Sequence, residues 1–526
     1  MPSTRPVSQP SLALIVTATI LLAVPFHIRP DNFTVDDGYF YPQIARFIAS
    51  GHGSTFNGIM PTNGYHPLWM LVCVVGAWIT PASGPLLQLL TTIQDMLTLF
   101  CVILLVKIAV AAKKRGGILG CAPILFFSMV LGSWRLQEAN LALALQLAVL
   151  TLVVPIFPGL QGRLAQWRIP LIGVLLGFTL LARLDLIFFV GVVLTYELLH
   201  RDPMLKGSSR LLNLTLESVI VGALLAPYLG WNLIRFHHLE PISGAIKSSF
   251  PHVHQWYIAS YIFPVVGAIL LNGSLLLKRE RTSFDTVCLL TAAAAALHLV
   301  YTLSFGVVSP WYFTTGYLSL SLSFIWVTDR LLALKPSLVW IEGAFGILLF
   351  TTFLFIGSLR LFSNFTYTRL VTGQVSFHGS YSESKHALAD KLRETLPAGS
   401  RIFVFDAPGG IAYYSGMDIL PADGLVADYA YNTDLAKEGF VRYAAEKHID
   451  YFITPYLQPD QKFDCNLYFS SKRTSAGQLM HINTPLTHLS AGSITLSDAD
   501  LLFRFREVNP NLESTLPEVG VWRIPH

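Results

Sequence analysis

The feature that most constrains this chain is a succession of apolar stretches between residues 11 and 359, several of them 18 residues or longer. A helix of that length spans the hydrocarbon of a bilayer. Hydrocarbon offers no water to backbone N–H and C=O groups, so each stretch must satisfy them internally, and a helix does this within one segment. The pattern predicts a polytopic α-helical membrane protein. The candidate spans are 11–28, 85–111, 117–132, 139–157, 170–187, 186–200, 211–234, 257–277, 285–308, 312–328 and 337–359. The piece 66–80 is apolar but short for a crossing and is expected to be juxtamembrane or re-entrant. Residues 1–27 read as a retained first helix, because no clear small-residue cleavage site follows their apolar core.

Charge orients this arrangement. Hydrophobic residues make up 53% of the chain and charged ones only 13%, about half the share of a soluble domain. Residues 1–360 carry 22 Lys+Arg against 14 Asp+Glu, whereas 361–526 carry 14 against 18 and lack long apolar runs. A transmembrane domain over 1–360 is therefore expected to precede a soluble domain over 361–526. If 66–80 does not cross, the spans make eleven crossings. Fifteen of the 22 basic residues of the membrane part then share the side of the N-terminus. The excess of Lys and Arg makes that side cytoplasmic. A large first outer loop, 30–66, and the whole of 361–526 are then extracytoplasmic. Of five cysteines, Cys73, Cys101, Cys121 and Cys288 lie in apolar segments and Cys465 stands alone in the soluble part. No disulfide framework or zinc-ligand spacing results. Nothing in the charge pattern suggests a nucleic-acid partner.

With that orientation, the unusual residues gather on one side. Asp36 and Asp37 stand just past the first span, where charge beside hydrocarbon marks a functional candidate and a carboxylate can act as a general base. They open a run Asp36-Asp37-Gly38-Tyr39 that continues through Gly51-His52-Gly53 and Phe56-Asn57-Gly58 to Asn63-Gly64-Tyr65-His66-Pro67-Leu68-Trp69. Trp69 suits an interfacial belt. Other outer segments contribute Trp134-Arg135-Leu136-Gln137-Glu138, Arg183-Leu184-Asp185, and Arg235 to Tyr257 with Pro241, Lys247, His252 and His254. The two histidines lack a third ligand and read as interface residues. Asp95, deep in a span, is costly unless paired. Ser309-Pro310-Trp311-Tyr312 ends a helix at the same face, where its aromatics suit an interfacial belt.

The first-loop pattern resembles that of GT-C glycosyltransferases, in particular the terminal arabinofuranosyltransferase-like and protein-mannosyltransferase-like groups. The resemblance implies a polyprenyl-phosphate sugar as donor, inversion at the sugar, and a glycan, lipid or protein acceptor. It also implies a first-loop aspartate as base, a role that falls to Asp36 with Asp37 as the second candidate. A bacterial inner (plasma) membrane is the expected location, with the site extracytoplasmic. Elsewhere the pattern departs: Gln137-Glu138-Ala139-Asn140 keeps only the acid of its counterpart, and Arg183-Leu184-Asp185 replaces an Arg-Pro-Glu-like element. Pro241 and Lys247 match a later Pro…Lys element loosely.

The chemistry suits these residue types. A sugar hydroxyl has a high pKa, so a carboxylate assists by removing its proton as the new bond forms. A lipid-phosphate leaving group needs compensating charge, for which Arg183, Arg235 and Lys247 are candidates. Glu138 and Asp185 are candidate substrate-binding acids, with Tyr65 and His66 beside them. Glu138 and an aspartate could also hold a divalent cation, since hard cations take oxygen ligands. A secondary transporter or flippase is the alternative, but such folds tend to carry internal repeats and no convincing repeat is visible. In the C-terminal part, helices at 384–396 and 433–447 and strands at 401–406 and 451–454 give an α/β alternation. The segment 407–410 reads as a turn. Gly409-Gly410 lacks dinucleotide-binding spacing, and Asp406 and Asp423 could contact the acceptor.

Overall fold

The computed structural model describes residues 9–34, 36–128, 136–200, 210–249, 256–304, 308–335, 337, 339–362, 381–464, 468–506 and 518–524. Arg135, His252, His254 and Cys465 lie outside them. The N-terminal part is helical: α1 (Gln9–Ile28), α2 (Asp36–Ala49), α3 (Pro67–Ile79), α4 (Ser83–Ala111), α5 (Gly117–Phe126), α6 (Ala139–Val153), α7 (Pro158–Arg163), α8 (Arg168–Ala182), α9 (Ile187–Leu199), α10 (Arg210–Phe236), α11 (Ile242–Ser249), α12 (Trp256–Gly273), α13 (Ser283–Leu303), α14 (Thr314–Leu334) and α15 (Val339–Phe362). Among the described residues, five helices are long and apolar enough to cross a bilayer, and six further apolar helices are shorter. The protein is thus a helical membrane protein. Length and composition alone do not reach eleven crossings.

The bundle explains several departures from the sequence reading. Within the span expected at 117–132 the α-helix covers Gly117–Phe126, with Pro123 inside it, and residues 129–132 lie outside those described. The 170–200 region is two helices, as expected, parted where Arg183 turns extended at φ −156 and a 3₁₀ turn follows over Leu184–Leu186. Trp69 is not in a belt: it is fully buried, and its Nε1 donates to Leu136 O at 2.8 Å. The amphipathic indole thus finds its polar partner inside the bundle instead of at the lipid headgroups. Asp95 is paired, its Oδ2 lying 2.5 Å from His27 Nε2 on α1. Buried polar side chains elsewhere in the bundle also meet across helices. Asn140 bonds Thr98 and Ser128 at 3.0 Å each, and Thr315 donates to Gln146 at 2.7 Å.

The C-terminal domain combines two sheets. One has the order β2-β1-β3-β9-β8, built from β1 (Arg401–Val404), β2 (Asp418–Pro421), β3 (Tyr451–Pro455), β8 (Leu501–Arg506) and β9 (Glu518–Arg523). Strand β1 runs parallel to both β2 and β3, and β9 closes antiparallel on β3. The other sheet is an antiparallel meander of β4 (Lys462–Asp464), β5 (Phe469–Thr474), β6 (Gly477–Asn483) and β7 (Ser490–Leu496). The segment expected as a turn at 407–410 instead opens a helix, Pro408–Ser415. Proline is favoured at a first helical position, and Gly416, left-handed at φ 68, stops the helix as a C-terminal glycine does. The helix expected at 433–447 is two, Tyr429–Glu438 and Phe440–Glu446, parted by Gly439 at φ 76.

The first loop is folded onto this domain. Asn57 Oδ1 accepts from the amides of Ile59 and Met60, each at 3.0 Å, while its Nδ2 reaches Ile419 O on β2 at 3.2 Å. Asn63 ties the loop to α11, its Oδ1 accepting from Ile242 N at 3.0 Å. A Cβ on Gly64 would lie 2.1 Å from Leu425 O, so only glycine lets the two backbones approach here. Much of the Gly/Asn pattern that stands out in the sequence is therefore docking chemistry.

Candidate active site

Helix α2 starts at Asp36, which places both aspartates in its first turn, where the helix dipole favours negative charge. Asp37 and Tyr41 are four residues apart and so share one helix face. Asp37 Oδ2 lies 3.6 Å from Lys247 Nζ on α11, with both side chains partly exposed (28% and 21%). Tyr41 Oη donates to Glu138 Oε2 at 2.7 Å. Glu138 Oε1 in turn accepts from Arg183 Nη1 at 2.7 Å and lies 3.7 Å from His66 Nε2. Arg183 grips Asp185 through both branches of its guanidinium, at 3.0 and 2.6 Å. His298 Nε2 sits 3.1 Å from the same carboxylate. The Arg183 guanidinium also stacks on Tyr312, 5.3 Å from the ring centroid, and Tyr312 hydrogen-bonds Lys247. One continuous network thus runs from His298 to Asp37.

Its two ends differ. Arg183 is only 2% exposed and Glu138 5%. Both acids are held below the usual carboxylate range against the opposing effect of burial, Asp185 by Arg183 and His298, and Glu138 by His66 and Arg183. Arg183 is saturated by two carboxylates, which suits a structural clamp. At the other end Lys247 is pushed above its ordinary range despite burial, by Tyr312 and the Asp37 and Glu138 carboxylates, so it stays an ammonium. Arg235 stands exposed near the end of α10, apart from these pairs. Tyr65 is turned to Ser54, 2.7 Å away, and braces the loop.

Asp36 faces the C-terminal domain. Its Oδ1 accepts from Gly409 N at 2.6 Å and Gly410 N at 3.4 Å. Burial first, then the Asp37 charge, pushes its carboxyl well above the ordinary value, with Asp406 and Asp423 adding to this and Lys385 opposing. Asp423 is itself raised by burial to about 7, and Asp406 accepts from Tyr468 Oη at 3.2 Å. Two non-glycine residues flank this region in left-handed backbone, Leu136 at φ 56 and Ala407 at φ 51. Such strain costs about 1–2 kcal/mol per residue and gathers at functional sites. Among the described residues, no group of three or more His, Cys, Asp or Glu forms a metal-binding set. A cavity of about 530 Å³ between α5, α12, α14 and α15 is wholly apolar and reaches Thr328. At 1.5 Å per helical residue, its lining on α14 from Leu320 to Thr328 runs from about 9 to about 20 Å along the helix from the start beside Tyr312.

Sequence reasoning missed Tyr41, Tyr312 as a partner of Arg183 and Lys247, His298, and Gly409 with Lys385. The i, i+4 spacing from Asp37 could have found Tyr41. The others meet the site only through tertiary packing.

Comparison with solved structures bears on the architecture. ArnT from Cupriavidus metallidurans bound to undecaprenyl phosphate is 14% identical, with 79% of this chain and 86% of that one aligned at a TM-score of 0.53. Its apo state is 16% identical, with 81% and 91% covered and the same TM-score. The chain has the GT-C fold. The apo oligosaccharyltransferase of Archaeoglobus fulgidus also aligns, at 13% identity, over 85% of this chain and 70% of that one, with a TM-score of 0.49. No protein-family model matches the chain, and no curated protein matches its sequence.

Proposed function

We propose that this chain is an inverting glycosyltransferase that moves a sugar from a polyprenyl-phosphate donor to a glycan, lipid or protein acceptor on the extracytoplasmic face. The membrane domain spans 1–360 with eleven crossings, and 361–526 forms the outer domain. The observation that carries this reading is the placement of two adjacent acids at one end of an apolar bundle, Asp36 under the C-terminal domain against Gly409 and Asp37 against Lys247. The GT-C neighbour bound to undecaprenyl phosphate supports a polyprenyl-phosphate donor.

The acceptor hydroxyl oxygen attacks the anomeric carbon from the face opposite the phosphate. The bond from that carbon to the phosphate oxygen breaks, and polyprenyl phosphate leaves with the electron pair. Asp36 takes the hydroxyl proton. Asp37 is committed to Lys247, whereas Asp36 is held through Oδ1 by the Gly409 amide, which orients the carboxylate to take the proton. Lys247 is the cation for the phosphate: it is an ammonium, partly exposed, paired with Asp37 at 3.6 Å and hydrogen-bonded to Tyr312. Asp37 orients it. The chain from Tyr312 through Arg183 and Glu138 to Tyr41 fixes α2, α6, α8 and α11 against one another. Arg235, exposed, suits a lipid headgroup contact. Glu138, the acid read as a candidate for a divalent cation together with an aspartate, has its oxygens engaged by Tyr41 and Arg183, and the proton transfer above uses no cation.

The test is sugar transfer in membranes by the single variants Asp36→Asn and Asp37→Asn. Loss of a positioned base lowers the rate by about 10²–10⁴-fold. Asp36→Asn is expected to show that loss at normal expression, and full activity in this variant contradicts the assignment.

A further inference from the structure

The bundle and the C-terminal domain meet at Asp36. The partner is the first turn of the helix Pro408–Ser415, whose Gly409 amide stands 2.6 Å from Asp36 Oδ1. The fit is close: a Cβ on Gly409 would come 2.4 Å from the Asp36 carbonyl oxygen and 2.9 Å from Oδ1. No other residue type fits there without moving the aspartate. Ala407, in the left-handed region at φ 51 and ψ 53, turns the chain so that the amides of the helix start point at the carboxylate. The ammonium of Lys385 reaches the Ala407 carbonyl at 3.4 Å and stands within electrostatic range of Asp36.

The same short helix is bolted to the bundle on its far side. Tyr413 Oη donates to Ser83 O at 2.8 Å, and Arg46 Nη1 donates to Tyr413 O at 3.2 Å while its guanidinium lies over the Tyr413 ring. Tyr414 Oη donates to Asp31. The helix start is therefore fixed relative to α2 by contacts independent of Asp36. Around the carboxylate stand Asp37 on α2 and Asp406, Asp423 and Lys385 on the C-terminal domain. Asp37, Asp406 and Asp423 disfavour the ionised carboxyl, while the amide donors and Lys385 favour it.

We infer that the C-terminal domain completes the catalytic site, with the Gly409 amide and the Lys385 ammonium as positioning groups for the Asp36 carboxylate. This deepens the proposed function and rests on Asp36 being the base. Holding one carboxylate oxygen fixes the rotation of the group, so the geometry of proton removal is set by a domain 373 residues away in sequence. The acceptor then meets a competent base only when that domain is seated.

The experiment uses the full chain in membranes, with kcat, donor KM and the pH dependence of kcat measured for Gly409→Ala, Lys385→Met and Asp36→Asn. In Gly409→Ala the displaced carboxylate lowers kcat by about 10²-fold, the scale of a misplacement near 1 Å, with donor KM little changed. Lys385→Met removes a cation that favours the ionised carboxyl, which raises the carboxyl pKa and moves the acid limb of kcat upward by about one pH unit. Wild-type kcat and an unmoved limb in both variants, with Asp36→Asn inactive, overturn the inference while leaving the base assignment intact. An active Asp36→Asn overturns the base assignment itself. Should Gly409→Ala fail to accumulate, the limb of Lys385→Met decides alone, since a merely structural lysine would not move it.

Discussion

Replacing Arg183 by methionine probes the clamp at the centre of the site. The side chain is 2% exposed and makes three charge-assisted hydrogen bonds, at 2.7, 3.0 and 2.6 Å, to Glu138 and Asp185. Methionine fills much of the volume but leaves two buried carboxylates without their cation. Asp185 retains His298 at 3.1 Å, and Glu138 retains Tyr41 at 2.7 Å. Removing one partner of a buried pair costs about 3–5 kcal/mol, most of it the penalty of the charge left behind. Adding Glu138→Gln removes one orphaned charge, so the double variant is expected to recover about 1–3 kcal/mol of that loss, the range of coupling between residues in contact. The assay is a double-mutant cycle on the full chain near pH 7, following unfolding in SDS–detergent mixed micelles by tryptophan fluorescence. Arg183→Met unfolding at the wild-type midpoint refutes the clamp, as does a cycle in which the two losses simply add.

Three other outcomes follow from the geometry. Gly64→Ala puts a methyl carbon 2.1 Å from Leu425 O, and strained replacements of this kind cost about 1–3 kcal/mol; limited proteolysis should show the first loop released from the C-terminal domain. The depressed carboxyls of Asp185 and Glu138 stabilise the folded state above the unfolded carboxylate pKa near ~4 and lose that contribution as pH falls through their lowered values; acid unfolding of Asp185→Asn should be correspondingly less steep. Reporter fusions after residues 60, 115 and 365 are expected to place the first and last outside and the middle one in the cytoplasm, and residue 60 inside refutes the proposed orientation.

How far the sequence could be read depended on the physics of each residue. Ionisable groups beside hydrocarbon are costly enough to be conspicuous, so Asp36, Asp37, Glu138, Arg183 and Lys247 were all visible as candidates. Their division of labour was not. Arg183 looks like a phosphate clamp until Glu138 and Asp185 are seen to consume its donors, which only packing reveals. Trp69 was misread for the same reason: an indole beside an apolar run is equally suited to a belt and to a core, and the Leu136 carbonyl decides. Asn57, Asn63 and Gly64 stood out as a pattern, but their partners on Ile419, Ile242 and Leu425 lie far along the chain. Gly409-Gly410 read as a turn because its helix is only eight residues long, starts with Pro-Gly-Gly and is held by tertiary contacts. The four-stranded meander from Lys462 to Leu496 gave no reading at all: its strands are short and polar on their exposed faces.

The most direct test of the central claim is mass spectrometry of the lipid fraction bound to the purified full chain, comparing wild type with Asp36→Asn after incubation with a polyprenyl-phosphate sugar and membrane extract as acceptor source. The account predicts that wild type converts the donor to polyprenyl phosphate, while Asp36→Asn retains the sugar-bearing lipid. Equal conversion by both would contradict it.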